Sequence, residues 1–288
     1  MIHKEEILHK RPTEIQVYDS PSELIARLKR ESTPRMNGYL AAGSGASFVG
    51  RSFSSAEHWF SEMGSIWQEG IKTVQELLAE IKSERLPPPR SRKRKRRIDE
   101  TDGDDIDLDR LRQGESFWHQ VRRDVTTGPT SFTIIADAST NCSHKSRDIL
   151  WKAAAGVATT YLMEEAGYRV ELWLMEYSQR CFTDRTDIVI ATQVKRSQDP
   201  LNISKLSSIM SGWFYRTGLF AASCLSIKNR TADNTLGYPN YTLSKEHVQQ
   251  FTNDPNYLVI KPTGKWDAVQ TIKKAVTQLT EASERTRK

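Results

Sequence analysis

The sequence predicts an α/β protein with a mainly parallel, doubly wound sheet, one antiparallel edge strand and an N-terminal helical extension. From residue 131 onward, short runs rich in β-branched residues alternate with longer amphipathic stretches, which is typical of a sheet covered by helices on both faces. A short turn around Asp184–Thr186 joins two of the predicted strands, so we expect them to pair antiparallel. Before residue 87, capping boxes and helical periodicity favour helices.

The N-terminal helices are predicted from their start signals and from one apolar stripe. Ser20–Glu23 is a capping box with proline at the first helical position, and it opens a helix through about Glu31. A second capping box lies at Ser54–Glu57. A third helix is predicted over Trp67–Lys82, because its apolar residues recur on one side at helical spacing.

A charged linker separates the helical extension from the rest of the chain. Pro87 and the two prolines after it end the third helix, because proline cannot donate to the helical hydrogen bonds. Residues 90–97 then contain seven basic side chains, and residues 99–109 contain seven acidic ones. The predicted division is residues 1–86 as the helical extension, 87–108 as the linker and 109–288 as the α/β domain. The basic side chains are Arg90, Arg92, Lys93, Arg94, Lys95, Arg96 and Arg97.

The α/β domain begins with a buried-type strand over Ser131–Ala136, which ends at Asp137. A helix is predicted over Ser146–Ala166, where apolar residues recur at helical spacing and glycine follows. Arg169–Tyr177 and Asp187–Lys195 are predicted as the antiparallel pair of strands. The other predictions are helices over Leu108–Val125, around residues 204–214 and over Trp266–Glu284, and strands over Leu219–Ile227 and Tyr257–Ile260.

The composition of the chain limits the cellular compartment and the kinds of partner that we expect. The formal net charge is +6 and the isoelectric point is about 9.1, which is compatible with a nucleic-acid partner. The three cysteines are odd in number and form no metal or disulfide pattern, which favours a reducing compartment. No apolar run is long enough for a membrane span or a secretory signal. We therefore expect a cytoplasmic protein with no membrane partner, in a host cytoplasm if a phage encodes it.

The first strand of the α/β domain ends in Asp137, Ser139 and Asn141. Together with the long helix, the next strand and the antiparallel strand that follow, this resembles a von Willebrand factor A-type domain, whose first strand ends in D-x-S-x-S. The resemblance implies a ligand-binding loop that holds Mg²⁺ through hard oxygen ligands. Asn141 stands where the family has serine, and no counterpart of its later ligands is evident, so the metal site is degenerate. We expect no cofactor, with Mg²⁺ as the alternative, and we assign ligand binding to Asp137, Ser139, Asn141 and Ser143.

A second resemblance covers nearly the whole chain and concerns a family of uncharacterised phage and bacterial proteins that share this core. It lends no function. The segments that carry it are SFVGRSF, the prolines followed by the basic run, DLDRLR, ILWKAAAGVATTYLMEEAGYRVELW and SGWFYRTGLF.

Two further patterns have weak chemical interpretations. Gly45–Ser52 is one residue away from the phosphate-binding loop G-x-x-x-x-G-K-[ST], but arginine replaces its lysine, so a glycine-rich connector is favoured. Asp187, Gln193 and Lys195, with Glu171 or Glu176 upstream, are similar to a metal-dependent nuclease pattern. Strand alternation predicts Asp187, Gln193 and Lys195 on one face, but Asp187 and Gln193 would lie about 20 Å apart. The favoured interpretation is an edge strand with polar residues.

We therefore predict a non-enzymatic interaction or scaffold protein. Its implied partner is another protein, and family analogy suggests an AAA+ ATPase. One alternative is a nucleic-acid-binding accessory protein that uses residues 90–97, although the same run also suits a solvated linker neutralised by its acidic neighbour. The other alternative is a metal-dependent nuclease built on Glu171, Glu176 and Lys195.

Overall fold

The computed structural model describes residues 1–8, 10–41, 49–81, 91–92, 97–99, 105–106, 108–120, 125–126, 131–140, 143–179, 184–225 and 243–285. A six-stranded mixed sheet lies at its centre. In chain order its strands are β1 (Ile2–Leu8), β2 (Arg11–Tyr18), β3 (Ser131–Asp137), β4 (Arg169–Ser178), β5 (Asp187–Lys195) and β6 (Tyr257–Ile260). Their spatial order is β1-β2-β5-β4-β3-β6.

The pairing of the strands confirms an α/β fold with a mostly parallel sheet. β2 pairs parallel with β5, β3 with β4, and β6 with β3. β1 with β2 and β4 with β5 are antiparallel pairs. The antiparallel orientation of β5 was predicted, but its place at the edge was wrong, because β2 pairs with its outer side. Among the described strands, β1 and β6 form the edges of this sheet.

The strands β1 and β2 were not foreseen, since only helices were predicted in this part of the chain. β2 alternates between two faces, with Ile15 and Val17 in one apolar cluster and Tyr18 in the other. Its polar residues Glu14 and Gln16 are nevertheless fully buried. Burial of the polar side of a strand depends on partners elsewhere in the chain, so local hydrophobic patterning does not reveal it.

These partners form a ring of hydrogen bonds, here called the hairpin network, that fastens the β1–β2 hairpin to the first helix. His3 Nε2 lies 2.7 Å from Glu14 Oε1, which also accepts from Gln16 Nε2 at 3.1 Å. Tyr18 donates to Gln16 Oε1 at 2.8 Å and accepts from Arg27 Nη1 at 3.1 Å. Arg27 Nη2 lies 2.9 Å from His3 Nδ1. Arginine can only donate, so His3 Nδ1 accepts and its Nε2 proton is directed to Glu14.

The described helices are α1 (Pro21–Arg30), α2 (Pro34–Ala41), α3 (Ala56–Glu62), α4 (Gln68–Glu80), α5 (Leu108–Arg112), α6 (Ser146–Glu165), α7 (Ile203–Leu206), a π-helix (Phe214–Leu219), α8 (Phe220–Ser223), α9 (Lys245–Val248) and α10 (Lys265–Arg285). The sequence predicted helices on both faces of the sheet, but most of the described helices pack in one apolar cluster on a single face, and only α9 adds a residue, Val248, to the cluster on the other face. Short strands pair outside the main sheet: Ser91–Arg92 with Val125–Thr126, and both Arg97–Asp99 and Asp105–Ile106 with Trp118–Gln120. Within the described residues, no helix has the length and apolarity needed to cross a bilayer.

Two predicted elements were wrong, and a third, the helix expected around residues 204–214, is interrupted at residues 207–211. The helix expected over Leu108–Val125 ends at Arg112, and strand pairing resumes at Trp118. The strand expected over Leu219–Ile227 begins instead as the end of the π-helix and continues as α8. Every residue of the π-helix and of α8 is buried, and a run that is buried on all sides shows no period by which strand and helix can be told apart.

Helix α6 positions the carboxyl end of β3. Its residues from Ile149 to Thr160 are buried, so it lies within the core rather than on the surface. At Gly156 an added Cβ would lie 2.9 Å from the Cβ of Ala136, and the missing side chain therefore allows close contact between α6 and β3. The apolar cluster to which α6 belongs also includes Leu24, Trp59 and Leu77 of the N-terminal helices.

Candidate functional site

Asp137 and Ser139, two of the predicted ligand-binding residues, come together where β3 ends. Asp137 is 1% exposed, and its Oδ1 accepts from the backbone N–H of Ser139 at 2.9 Å. The hydroxyl oxygen of Ser139 accepts from the backbone N–H of Tyr177 on β4 at 2.7 Å. Ser143 is exposed just before α6, and Asn141 lies outside the described residues. Because β3 and β4 are parallel, their carboxyl ends lie at the same edge of the sheet, where ligands of open α/β sheets bind.

Two lysines that the sequence analysis missed hold this turn. Lys261, the first residue after β6, places its Nζ 2.7 Å from Asp137 Oδ2. Lys152 on α6 donates from Nζ to the backbone oxygen of Ser139 at 2.7 Å. Burial lowers the pKa of Lys152 to about 8, although the charge of Asp137 opposes this change. The turn is therefore bound from two sides by ammonium groups.

A buried acid and a buried phenol lie behind the turn. Glu176 on β4 is fully buried, and its Oε1 accepts from Ser178 Oγ at 2.8 Å. Its Oε2 makes no hydrogen bond within the described residues. Burial, with a further contribution from the charge of Asp137, raises the pKa of Glu176 to about 8, so the carboxyl is neutral at pH 7. Tyr215 accepts from the N–H of Thr140 at 3.0 Å and donates to its carbonyl at 3.3 Å. Burial raises the pKa of Tyr215 well above its usual range.

We call these six residues the edge cluster: Asp137, Ser139, Lys152, Glu176, Tyr215 and Lys261. Two of its missed members had recognisable local signals. Lys152 interrupts an otherwise apolar and alanine-rich helix, and Lys261 directly follows a strand that ends at the binding edge. Tyr215 had no such signal, because it belongs to a fully buried run.

The edge cluster does not fit a divalent cation. Mg²⁺ requires oxygen ligands in near-octahedral array, whereas the outer oxygen of Asp137 is occupied by the ammonium of Lys261. Lys152 adds a second positive charge on the Ser139 side. Among the described residues, no three histidine, cysteine, aspartate or glutamate side chains lie close enough to share an ion.

The residues of the nuclease pattern do not come together in one site. A β-bulge between Gln193 and Lys195 shifts the register, so Gln193 lies opposite Trp173 while Lys195 lies opposite Leu172. Neighbouring residues of a strand point to opposite faces, and the expectation that Gln193 and Lys195 share one face was therefore wrong.

The contacts of these side chains also separate them. Lys195 Nζ forms an ion pair with Glu164 on α6, whereas Gln193 donates to Glu171. Asp187 accepts from Tyr177 Oη at 2.9 Å at the other end of β5. Glu176 lies opposite Ile190, roughly 15 Å along β5 from Lys195.

The remaining candidate motifs lie largely outside the described residues. Residues 42–48 of the glycine-rich stretch are not described, and the guanidinium of Arg51 forms an ion pair of 3.0 Å with Glu62. Of the basic run, the structure describes only the backbone at residues 91, 92 and 97, in short strands.

Comparison with known proteins gives a match to a family. A family model described as a domain of unknown function, DUF7192, matches residues 4–284. No curated protein and no solved structure matches the chain. Since the model covers nearly the whole sequence, the chain belongs to the DUF7192 family.

Proposed function

We propose that the chain is a non-enzymatic interaction protein whose binding face is the edge of the sheet at which β3 ends. The succession of β3, α6, parallel β4 and antiparallel β5 supports a von Willebrand factor A-like arrangement for this part. In such sheets, ligands meet the loops outside the carboxyl ends of the strands.

The observation that carries the proposal is the way in which the turn at Asp137 and Ser139 is fixed. The carboxylate, hydroxyl and carbonyl groups of this turn all bind protein partners, which include the ammonium groups of Lys152 and Lys261. A turn held in this way is preorganised and loses little conformational freedom when a partner binds.

Catalysis is less well supported, because most chemically active groups of the edge cluster are directed inward. Lys152 and Tyr215 are both buried and both bind main-chain atoms. Glu176 has no exposed surface. A nucleophile or an acid–base group must come within hydrogen-bond reach of a substrate, and these three are covered.

A display experiment tests the position of the binding face. A phage library of random peptides is selected on the immobilised wild-type protein, and the enriched peptides are then measured against Ser143→Glu and Ser131→Glu. Both serines are exposed, but Ser143 lies at the proposed face and Ser131 at the opposite end of β3. We expect peptide affinity to fall only in Ser143→Glu. Equal affinity for both variants would contradict the proposal.

A second candidate function is nucleic-acid binding by the basic run at residues 90–97, and the density of its charges favours it. Binding of this kind would weaken steeply between about 50 and 200 mM salt, because bound cations are released from the nucleic acid. Fluorescence anisotropy with a labelled DNA duplex, on the wild type and on a variant with these arginines and lysines changed to serine, measures this directly.

A further inference from the structure

We propose that the ammonium of Lys261 takes the place of a divalent cation at Asp137, and that the edge cluster therefore binds a carboxylate of an acidic partner peptide directly, without metal. This inference rests on the proposed function and specifies the chemistry of the partner.

The ion pair between Asp137 and Lys261 is asymmetric. The carboxylate is 1% exposed, whereas the lysine side chain is 32% exposed. An ammonium has three donors, and within the described residues Asp137 is the one ion-pair partner of Lys261. The buried carboxylate thus fixes a cation whose side chain is partly exposed to solvent. A fixed cation with unused donors is suited to an oxyanion, because charge-assisted hydrogen bonds are among the stronger ones.

The charges around the turn select among oxyanions. Asp148 and Asp267 both act electrostatically on Lys152, so acidic groups lie near the turn as well as basic ones. Lys265 is paired with Glu76 at 3.4 Å and with Glu80 at 2.6 Å, which neutralises that cation. A surface of mixed charge repels a polyanion such as nucleic acid more than it repels a single carboxylate. The observations therefore favour an acidic residue of a peptide.

An exposed tryptophan lies close to Lys261 in the sequence. Trp266 is 76% exposed, the highest value among the large apolar side chains of the described residues, and it lies in the first turn of α10. It follows Lys261 closely in the connection that leaves β6. Tryptophan is enriched among the residues that dominate binding energy at interfaces. We therefore expect the partner segment to place an apolar side chain next to its acidic residue.

The experiment uses phage-displayed random peptides selected on the full-length protein in EDTA. Enriched peptides should contain aspartate or glutamate beside apolar residues, and added Mg²⁺ should not change their affinity. Lys261→Met should weaken binding by about tenfold or more, whereas Lys261→Arg, which keeps the charge, should retain most of it. Changing the acidic residue of a selected peptide to its amide should weaken binding to the wild type to a similar extent. This last arm does not depend on the folding of a protein variant.

The outcomes separate the two proposals. Peptides without acidic residues, or peptides whose amide forms bind equally well, would overturn the role of Lys261. Binding that requires Mg²⁺ would overturn it as well. If Ser143→Glu abolishes binding in these cases, the binding face stands and only the carboxylate inference fails. If Ser143→Glu has no effect either, the proposed function fails with it.

Discussion

The edge cluster and the hairpin network both bury charged side chains, but the two differ in how the hydrogen bonds of these side chains are completed. In the hairpin network the contacts run in a closed ring from His3 through Glu14, Gln16, Tyr18 and Arg27 back to His3. In the edge cluster, Glu176 keeps an oxygen without a hydrogen bond within the described residues, and Lys261 is partly exposed.

The difference separates a structural role from a binding role. A polar network whose members bind one another rigidifies the fold, and the loss of one member leaves the others buried and unpaired. A cluster that keeps an outward-facing cation has a group left for a ligand. Burial of charge alone therefore does not identify a binding site. A charged group of the cluster must also remain partly exposed.

The largest expected loss of stability comes from breaking the closed ring. Arg27→Met removes the guanidinium that contacts Tyr18, His3 and Glu31, and leaves buried acceptors without their donor. We expect the free energy of unfolding to fall by roughly 3 kcal/mol, as for other broken buried charge networks. Urea denaturation measures this. Arg30→Met in the same helix is the control, since its side chain is 69% exposed, and it should change stability by less than about 0.5 kcal/mol.

The next prediction compares two buried glutamates, Glu176 in the edge cluster and Glu14 in the hairpin network. The folded-state pKa of Glu176, about 8, lies above its ordinary value of 4.5, so the folded state holds a proton that the unfolded state releases. Stability is therefore lost as pH rises from 4.5 to about 8. Glu176→Gln removes this loss, and its advantage over the wild type should grow by up to about 1.4 kcal/mol per pH unit across this range.

Glu14→Gln should act in the opposite direction. Glu14 Oε1 accepts hydrogen bonds from His3 and Gln16, and an amide in place of the carboxyl group keeps only one acceptor oxygen. We expect a loss of about 1–3 kcal/mol at pH 7. Urea titrations of both variants at several pH values provide the comparison. Equal signs for the two substitutions at pH 8 would remove the distinction between the clusters.

The smallest effect on stability is expected at the binding face. Trp266→Ala removes a largely exposed side chain, so the free energy of unfolding should change by less than about 0.5 kcal/mol. Peptide affinity should nevertheless fall by about tenfold or more, as for a central interface residue. Ile66→Ala is the control, because Ile66 is 58% exposed on another part of the molecule and should leave peptide affinity unchanged.

Local signals allowed part of this structure to be predicted. The strand that ends at Asp137, the helix after it and the antiparallel pair β4–β5 were all predicted, because each has a clear hydrophobic period or a short connection. Asp137 and Ser139 were identified from one motif within three residues of sequence.

Contacts between distant segments were not predictable in the same way. The sequence marks Lys261 as the residue after a strand, but it does not show that this strand, β6, pairs parallel with β3, and that pairing brings Lys261 to Asp137. The bulge in β5 moved Lys195 to the other face from Gln193, against simple alternation. β2 joined the sheet with its polar side buried, and its partners come from β1 and α1.

Isothermal titration calorimetry of Mg²⁺ and Mn²⁺ into the wild-type protein, with Asp137→Ala in parallel, tests the central claim most directly. The ammonium of Lys261 lies 2.7 Å from the carboxylate that a metal would need, so we predict no binding heat from the wild type with either ion. Heat from the wild type that disappears in Asp137→Ala would contradict the account, because it would mean that a cation displaces Lys261 and that the site depends on metal.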